Sequence, residues 1–183
     1  MMASASGSLE NAKSLIDNGA DVNAKDDSGS TALMEAATYG HTEVASALIE
    51  KGAAVDATAL MSACEAGHLD VVQLLLEHGA NINGQNVGGV TPLMLAAMRS
   101  HTDVAIYLIN RGADVNIKAK DGWTPLFLAA MYGETEVAKA LIEKGIDVNA
   151  MDHTGRTALS LAKEHHFPDI ATLILERSQS QNH

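Results

Sequence analysis

The sequence predicts an all-α solenoid of stacked helix-turn-helix units. The first observation is a recurring stretch, which reads Thr-Pro-Leu-Phe-Leu-Ala-Ala at residues 124–130. Related copies stand at residues 31–37, 58–64, 91–97 and 157–162. The second observation is the period, because the threonines that begin the last four copies follow one another at intervals of 33 residues. A fixed period of this size is typical of repeat proteins, in which each unit packs against its neighbours.

Composition supports thin, closely packed layers. Hydrophobic residues make up 46% of the chain and aromatic residues only 3%, so the core must be built from small aliphatic side chains that let helices approach closely. The net charge is −11, from 23 acidic and 12 basic residues. This charge argues against binding of nucleic acid, which needs a basic surface, and against an anionic membrane surface.

We divide the chain into about six units that form a single domain at residues 1–177, followed by a polar, disordered tail at residues 178–183. The approximate units are 1–25, 26–57, 58–85, 86–118, 119–151 and 152–177. The first unit is partial, and residues 2–6 read as the end of a helix that lacks its opening turn. The last unit is more polar than the others, which is typical of a terminal repeat that caps a stack.

Local signals define the helices of each unit. Thr31 is expected to cap a first helix with its hydroxyl, and Pro92 and Pro125 follow the corresponding threonines at a position where proline fits well. The second helix of the same unit is predicted from about Thr42 to Lys51. Gly52 then ends it, as glycine often does where the backbone turns left-handed.

The third unit is short. Thr58 follows Thr31 by 27 residues instead of 33, so six residues are missing from the turn that precedes the threonine. We therefore expect this unit to lack that turn. We also expect the junction at residues 55–60 to be the weakest, because repeat stability depends on neighbour contacts. The sequence leaves open whether the deletion is natural or engineered.

Several motifs recur in phase with the period. They are Thr-Pro-Leu, the Ala-Ala pair, Gly-His as at residues 40–41 and 67–68, and Gly-Ala-Asp-Val-Asn at residues 19–23 and 112–116. Over about residues 3–177 the chain resembles the ankyrin repeat family. The resemblance implies two antiparallel helices and a short β-hairpin finger per unit, and a concave face of fingers and first helices that usually binds another protein. It also implies that the third unit lacks its finger, which leaves a notch in this face beside the second unit.

One position departs from that family, which has histidine after Thr-Pro-Leu. Here the position holds Met34, Met61, Met94, Phe127 and Ser160. The hydrogen bonds between repeats that the histidine would make are therefore not expected, and the flexible thioethers are expected to fill the space by packing.

Six residues are the candidate protein-binding site on the family's template: Tyr39, Met98, Arg99, Trp123, Met131 and Tyr132. Tyr, Trp and Arg are enriched at binding hot spots, and Met suits adaptable apolar surfaces. Packed helices lie about 8–10 Å apart, so neighbouring repeats would present these side chains as a strip. The alternative, that Trp123 and the methionines pack between repeats, stays open.

Other recurring polar residues have structural explanations. His41, His68 and His101 stand in different repeats without a paired ligand three or four residues away, so the repeat explains them better than a metal does. The asparagines at 23, 83, 116 and 149, with Asp56 in the same position, are expected to hydrogen-bond the backbone two residues on. The family resemblance adds one alternative, since ankyrin asparagines at this position can be hydroxylated in animal cells.

Two further features are candidates for chemical reactivity. Cys64 takes the place of alanine in other repeats and is expected to be a buried filler, and as the only cysteine it forms no internal disulfide. Glu164, His165 and His166, together with Asp169, are the densest titratable cluster. An enzyme needs such groups to converge in a pocket, and a solvated turn is the favoured interpretation.

The sequence thus predicts a non-catalytic module that binds another protein, with a preference for a basic partner surface because of its own acidic charge. We expect no cofactor, no metal and no nucleic acid, and a cytoplasmic monomer. Residues 1–7 lack a signal-peptide pattern, and a removed signal or a truncated start stays open. The alternatives are a repeat scaffold without a natural ligand and, as the third choice, an enzyme that uses the cluster at residues 164–169.

Overall fold

The computed structural model describes residues 1–180, and this part is helical except for turns and one isolated β-bridge between Met151 and Thr157. The predicted all-α fold is confirmed, although the strands expected in the fingers are reduced to that bridge. The described part contains twelve helices: α1 Met2–Ala5, α2 Leu9–Asp17, α3 Ala32–Thr38, α4 Thr42–Glu50, α5 Ala57–Ala66, α6 Leu69–Glu77, α7 Pro92–Met98, α8 Thr102–Asn110, α9 Pro125–Tyr132, α10 Thr135–Glu143, α11 Ala158–Glu164 and α12 Pro168–Ser180. None of them combines the length and the hydropathy that crossing a membrane requires.

Contacts group the chain into two compact halves of about three repeats each: the first unit, residues 1–84, and the second unit, residues 85–183. In the first unit α1, α3 and α5 pack side by side, and α2, α4 and α6 form a second layer behind them. The second unit repeats this arrangement with α7, α9 and α11 in one layer and α8, α10 and α12 in the other. The division falls at the predicted end of the third repeat, and a single domain over residues 1–177 stays a prediction.

Helix α12 corrects the predicted C-terminal boundary. It continues through residues 178–180, which we assigned to a disordered tail. The Ser178 hydroxyl donates a hydrogen bond to Asn149 Oδ1 at 3.0 Å, and the Ser180 hydroxyl donates to the carbonyl oxygen of Glu176. The first of these bonds ties the last turn of α12 to the preceding repeat. The rest of the predicted tail, residues 181–183, lies outside the described residues.

The first helix of several repeats begins with the predicted threonine cap, in a form that the sequence did not suggest. Thr31 Oγ1 accepts a hydrogen bond from the Met34 backbone N–H at 3.3 Å, and the Met34 thioether sulfur lies 3.4 Å from the Thr31 nitrogen as a weak acceptor. Thr91 and Met94 form the same reciprocal pair. We expected the methionines to act through packing, and here they also complete the cap.

Helix α9 lacks this cap. Its N-cap residue, Thr124, is only 2% exposed, and its hydroxyl has no hydrogen-bond partner among residues 1–180. Phe127 stands where Met34 and Met94 supply an acceptor, and its ring supplies none. Pro125 at the first helical position partly compensates, because its fixed φ angle is already suited to a helix.

The missing finger of the third repeat changes how α5 begins. Asp56 caps the helix directly, since its Oδ1 accepts hydrogen bonds from the backbone N–H groups of Thr58 and Ala59, each at 3.0 Å. Thr58 therefore lies inside the first turn and not at the cap. Helices α3 and α5 make the most extensive helix–helix contact of the first unit. This contact counts against a weak junction at residues 55–60, although hydrogen exchange has still to test it.

The recurring asparagines have a different structural role from the expected one. Asn23 Nδ2 donates to the Gly52 carbonyl at 3.0 Å, and Asn23 Oδ1 accepts from the Ala54 N–H at 2.7 Å. Asn116 Oδ1 likewise accepts from Asp147 N–H in the following repeat. The local turns are formed instead by the residues two positions earlier: Asp21, Asn81, Asp114 and Asp147. Asn23 and Asn116 thus join consecutive repeats.

The recurring histidines also join repeats within the first unit. His41 Nε2 lies 3.1 Å from the carbonyl oxygen of Ala5, and His68 Nε2 lies 3.1 Å from that of Thr38. Each ring covers the glycine of the preceding repeat, so a Cβ atom on Gly40 would lie only 2.6 Å from His68 Nδ1. In the second unit the ring of Phe167 covers Gly133 in the same way. A left-handed glycine in one repeat and a ring in the next therefore form a matched pair.

Candidate functional site

Four of the six predicted site residues lie together in the second unit. Met98 and Arg99 end α7, and Met131 and Tyr132 end α9, which packs beside it. The two methionines are half-buried, whereas Arg99 is exposed and the side chain of Tyr132 is 44% exposed. We call these four residues the α7–α9 patch. It combines two half-buried methionines with an exposed aromatic and an exposed cationic residue.

Tyr39 belongs to the first unit. It is the C-cap residue of α3, and its side chain is 54% exposed. Its ring stacks on that of His41 with 6.3 Å between the ring centroids. Tyr39 also lines an open groove of about 780 Å³ together with residues of α1 and α2, among them Leu15, which is 53% exposed. Tyr39 therefore borders an apolar surface of its own.

Trp123 is placed differently from the other predicted residues. It precedes the N-terminus of α9, whereas Tyr132 ends the helix, so the helix separates the two by about 12 Å. The indole is half-buried and lies 6.3 Å from the ring of Phe127. The Arg156 guanidinium of the next repeat lies over its face at 5.5 Å, within the range of a cation–π contact. These contacts support the alternative that Trp123 packs between repeats.

Arg156 is held over the indole by Asp152, a contact that the sequence reasoning missed. Asp152 is 6% exposed, and its Oδ2 accepts from both Nε and Nη2 of Arg156 at 2.9 Å. Its Oδ1 accepts from the N–H and the hydroxyl of Thr154 and from the Arg156 N–H. An Asp, Thr and Arg at alternate positions of one turn is the signal that would have indicated this network.

The network determines the protonation of Asp152. Burial by itself raises the pKa of this carboxyl, but hydrogen bonds from Thr154 and Arg156 outweigh burial and hold the pKa well below its usual range. A carboxyl whose pKa is depressed on folding stabilises the folded state above its unfolded pKa of about 4. That contribution is lost progressively as the pH falls below about 4 towards the folded pKa.

We therefore expect Asp152→Asn to lower the melting temperature most at pH 7 and progressively less below about pH 4. The amide cannot pair with Arg156 as a charge, so the stabilising contribution that depends on ionisation disappears. Melting curves of both proteins between pH 7 and pH 2 measure the difference. Glu143→Gln, at an exposed position, is the matched control and should show a small difference at every pH. A difference for Asp152→Asn that stayed constant down to pH 2 would contradict the assignment.

The fingers of the second unit, at residues 86–90, 119–123 and 152–156, are joined by hydrogen bonds into a row. The backbone N–H of Lys120 donates to the Gly88 carbonyl at 2.9 Å, and that of His153 donates to the Asp121 carbonyl at 3.1 Å. Val87, on the first finger of this row, exposes 92% of its side chain and was not predicted as a site residue. An exposed valine in an otherwise polar turn is the signal that was missed.

The titratable cluster near the C-terminus lies at the surface. The side chains of Glu164, His165, His166 and Asp169 are all exposed at the end of α11 and the start of α12. No group of three His, Cys, Asp or Glu side chains within residues 1–180 is arranged to hold a metal ion. Cys64 is fully buried, and burial raises the pKa of its thiol, so it is an unreactive filler as expected.

Comparison with known proteins identifies the repeat. A family model described as ankyrin repeats (3 copies) matches residues 1–86, 56–119 and 93–183. Among solved structures, the chain is similar to an ankyrin repeat domain from Acinetobacter baumannii AYE, with 30% sequence identity and a TM-score of 0.86. That similarity covers 97% of this chain and 96% of the other. Among curated protein sequences, none matches this chain.

Proposed function

The chain belongs to the ankyrin repeat family, and from this premise we propose that it binds another protein through the α7–α9 patch, without catalysing a reaction. Ankyrin repeats are generally protein-interaction modules. The observation that carries the proposal is the exposed Tyr132 beside three further predicted residues on two packed helices. In an interface, a tyrosine at the edge of an apolar floor supplies a large contact area at a low cost in conformational entropy.

Each of the six predicted site residues has a distinct part in this proposal. Met98 and Met131 provide a polarisable apolar floor that adapts to the partner's side chains. Arg99 and Tyr132 provide polar contacts at the rim. Tyr39 extends the same type of contact to the first unit. Trp123 acts indirectly, because its contacts with Phe127 and Arg156 hold the finger in place.

The charge distribution supports a basic partner. Residues 1–84 contain 12 acidic and three basic residues, for a net charge of −9, whereas residues 85–183 contain 11 acidic and nine basic residues, for a net charge of −2. Complementary charge raises the association rate more than it raises affinity, and salt screens the effect. We therefore propose a partner with a basic surface, bound by a cytoplasmic monomer of this chain.

A comparative capture experiment tests the proposal. We expect the Tyr39→Ala, Tyr132→Ala double variant to capture its partner from the source lysate at least about tenfold more weakly than the unaltered protein, since both side chains are exposed hot-spot types. Leu175→Ala is the matched control, because Leu175 is 40% exposed on α12, outside the patch. Both variants should melt within a few degrees of the unaltered protein.

Each outcome of the capture experiment has a defined meaning. Loss of one partner on the double variant alone supports the proposal and identifies the partner. The same partner on all baits places binding elsewhere on the chain. No partner on any bait favours a repeat scaffold without a natural ligand.

A further inference from the structure

The finger at residues 26–30 has the same internal geometry as the fingers of the second unit. Its Asp26 N–H donates to the Ser30 carbonyl at 3.0 Å, and its Gly29 N–H donates to the Asp26 carbonyl at 2.9 Å. The finger at residues 86–90 makes both bonds at equivalent positions. Gly29 and Gly89 both have left-handed backbones, with φ angles of 83° and 76°. The finger at residues 26–30 thus has the backbone geometry of a finger that pairs with a neighbouring finger.

The second unit shows how the edge of such a finger is used. The carbonyl three residues before the helix-capping threonine accepts a backbone N–H from the next finger, as Gly88 accepts from Lys120. Asp121, at the equivalent position of the following finger, accepts from His153. The approach is close, because a Cβ atom on Gly89 would lie 3.1 Å from the Lys120 nitrogen.

The corresponding edge in the first unit is vacant. Ser28 occupies the acceptor position, and within residues 1–84 its carbonyl oxygen accepts no hydrogen bond. No atom of the first unit lies within 4 Å of a Cβ atom built on Gly29. The cause is the short third repeat, in which α5 begins directly after Asp56 with no finger before it. The Ser28 carbonyl is thus retained as an acceptor, while the finger of this chain that would donate to it is absent.

Acidic side chains surround this edge. Asp27 is exposed on the finger itself, and Asp56 is exposed at the start of α5, which packs against the helix that follows the finger. Hydrogen bonds from Ser28 and Ser30 lower the pKa of Asp26, which therefore stays charged. A basic segment that approaches the edge is attracted both by these carboxylates and by the net charge of −9 on residues 1–84.

We infer that the vacant edge of the finger at residues 26–30 binds a basic, finger-like loop of a partner protein, which donates a backbone N–H to the Ser28 carbonyl in place of the missing finger. The inference rests on the proposed role in protein binding but assigns a surface outside the α7–α9 patch. Main-chain pairing at an open edge provides general affinity, and neighbouring side chains provide selectivity. The preformed turn lowers the entropic cost of the pairing.

The last finger, at residues 152–156, provides an internal comparison. Thr154 holds the same acceptor position, and within residues 85–180 its carbonyl also accepts no hydrogen bond. This finger has His153 at the position of Asp27, and its Asp152, at the position of Asp26, is paired with Arg156. A basic loop should therefore choose the edge at residues 26–30.

The test uses the full chain labelled with ¹⁵N and a cyclic peptide of residues 117–124, the sequence that fills this edge in the second unit. We expect saturable shifts of the Asp27, Ser28 and Gly29 amide signals with a Kd of about 1 mM, because few bonds form. Raising the salt from about 50 to 500 mM should weaken binding several-fold. A peptide with Lys118→Glu and Lys120→Glu should bind at least about tenfold more weakly.

Two variants of the chain complete the test. In the first, a copy of residues 118–123 is inserted between Ala57 and Thr58, which restores a finger and should abolish the shifts. In the second, Asp27→Lys reverses one exposed charge without a change in packing and should weaken binding about tenfold. The second variant keeps the test decisive if the insertion disturbs folding.

The inference is overturned if the signals of residues 26–30 do not shift up to about 10 mM peptide, some tenfold above the expected Kd. Equal shifts at Thr154, or equal binding to Asp27→Lys, would overturn it as well. The α7–α9 proposal is separate, since its double variant changes neither finger. Partner capture that survives the insertion but is lost on Tyr39→Ala, Tyr132→Ala supports that proposal alone.

Discussion

Replacing Gly84 with alanine is expected to lower the free energy of unfolding by about 2–3 kcal/mol, which is a large effect for the addition of one methyl group. A Cβ atom on Gly84 would overlap the Cβ atom of Ala57, at the start of α5, far inside the carbon–carbon contact distance of about 3.5–4.0 Å. Gly84 does not have a left-handed backbone. The cost is therefore steric. Neither methyl group can rotate away from the other, because an alanine side chain has no torsion that moves its Cβ atom.

The partner of this contact offers a direct control. Ala57→Gly removes the opposing methyl group, so the double variant Gly84→Ala, Ala57→Gly should recover most of the lost stability. Ala57→Gly alone should cost roughly 0.5–1 kcal/mol, as glycine does in a helix. Urea unfolding of the four proteins gives the coupling energy, which we expect to be at least about 1 kcal/mol in favour of the double variant. If the losses in unfolding free energy of the two single variants simply added in the double variant, the two residues would not be in contact.

Gly133→Ala is expected to cost about 2–5 kcal/mol, from two causes that add. Gly133 has a φ angle of 77°, and a left-handed alanine costs about 1–2 kcal/mol. A Cβ atom there would also lie 2.6 Å from Cζ of Phe167, whose ring is anchored on the following repeat. Overpacking of this kind typically costs a further 1–3 kcal/mol.

Gly145→Ala separates the two causes. Gly145 has a φ angle of 85°, and no atom lies within 4 Å of a Cβ built on it. This variant should therefore cost only the backbone strain of about 1–2 kcal/mol. Thermal and urea unfolding of both variants provide the comparison. Equal losses of stability would mean that the ring of Phe167 yields freely and that contact between the two repeats contributes little there.

Period and capping signals were sufficient to predict most of the helical framework. The threonine spacing placed the first helices, and the predicted second helix from Thr42 agrees with α4 within one residue. The spacing of 27 residues also revealed the lost finger. These features are local or periodic, so a single sequence contains them.

Contacts between repeats could not be predicted in the same way. No local pattern indicates that Asn23 binds the backbone about 30 residues later, because its turn chemistry favours a partner two residues away. The position of Arg156 over Trp123 depends on the register of two neighbouring fingers. The candidate site was affected for the same reason. Met98, Arg99, Met131 and Tyr132 lie at equivalent ends of α7 and α9, whereas Trp123 lies at the opposite end of α9.

The pairing of a glycine with a ring from the next repeat limits how such a chain can be recombined. His68 and Phe167 each cover a glycine that belongs to the preceding repeat. A boundary drawn at the capping threonine separates every such pair. Repeats exchanged at that boundary would bring unmatched surfaces together, for example an alanine beneath a histidine. Gly7 pairs with His41 and Gly40 pairs with His68, so every cut between residues 7 and 68 separates at least one such pair. Duplication or shuffling therefore preserves the fit only where the glycine on one side of the new junction matches the ring on the other side.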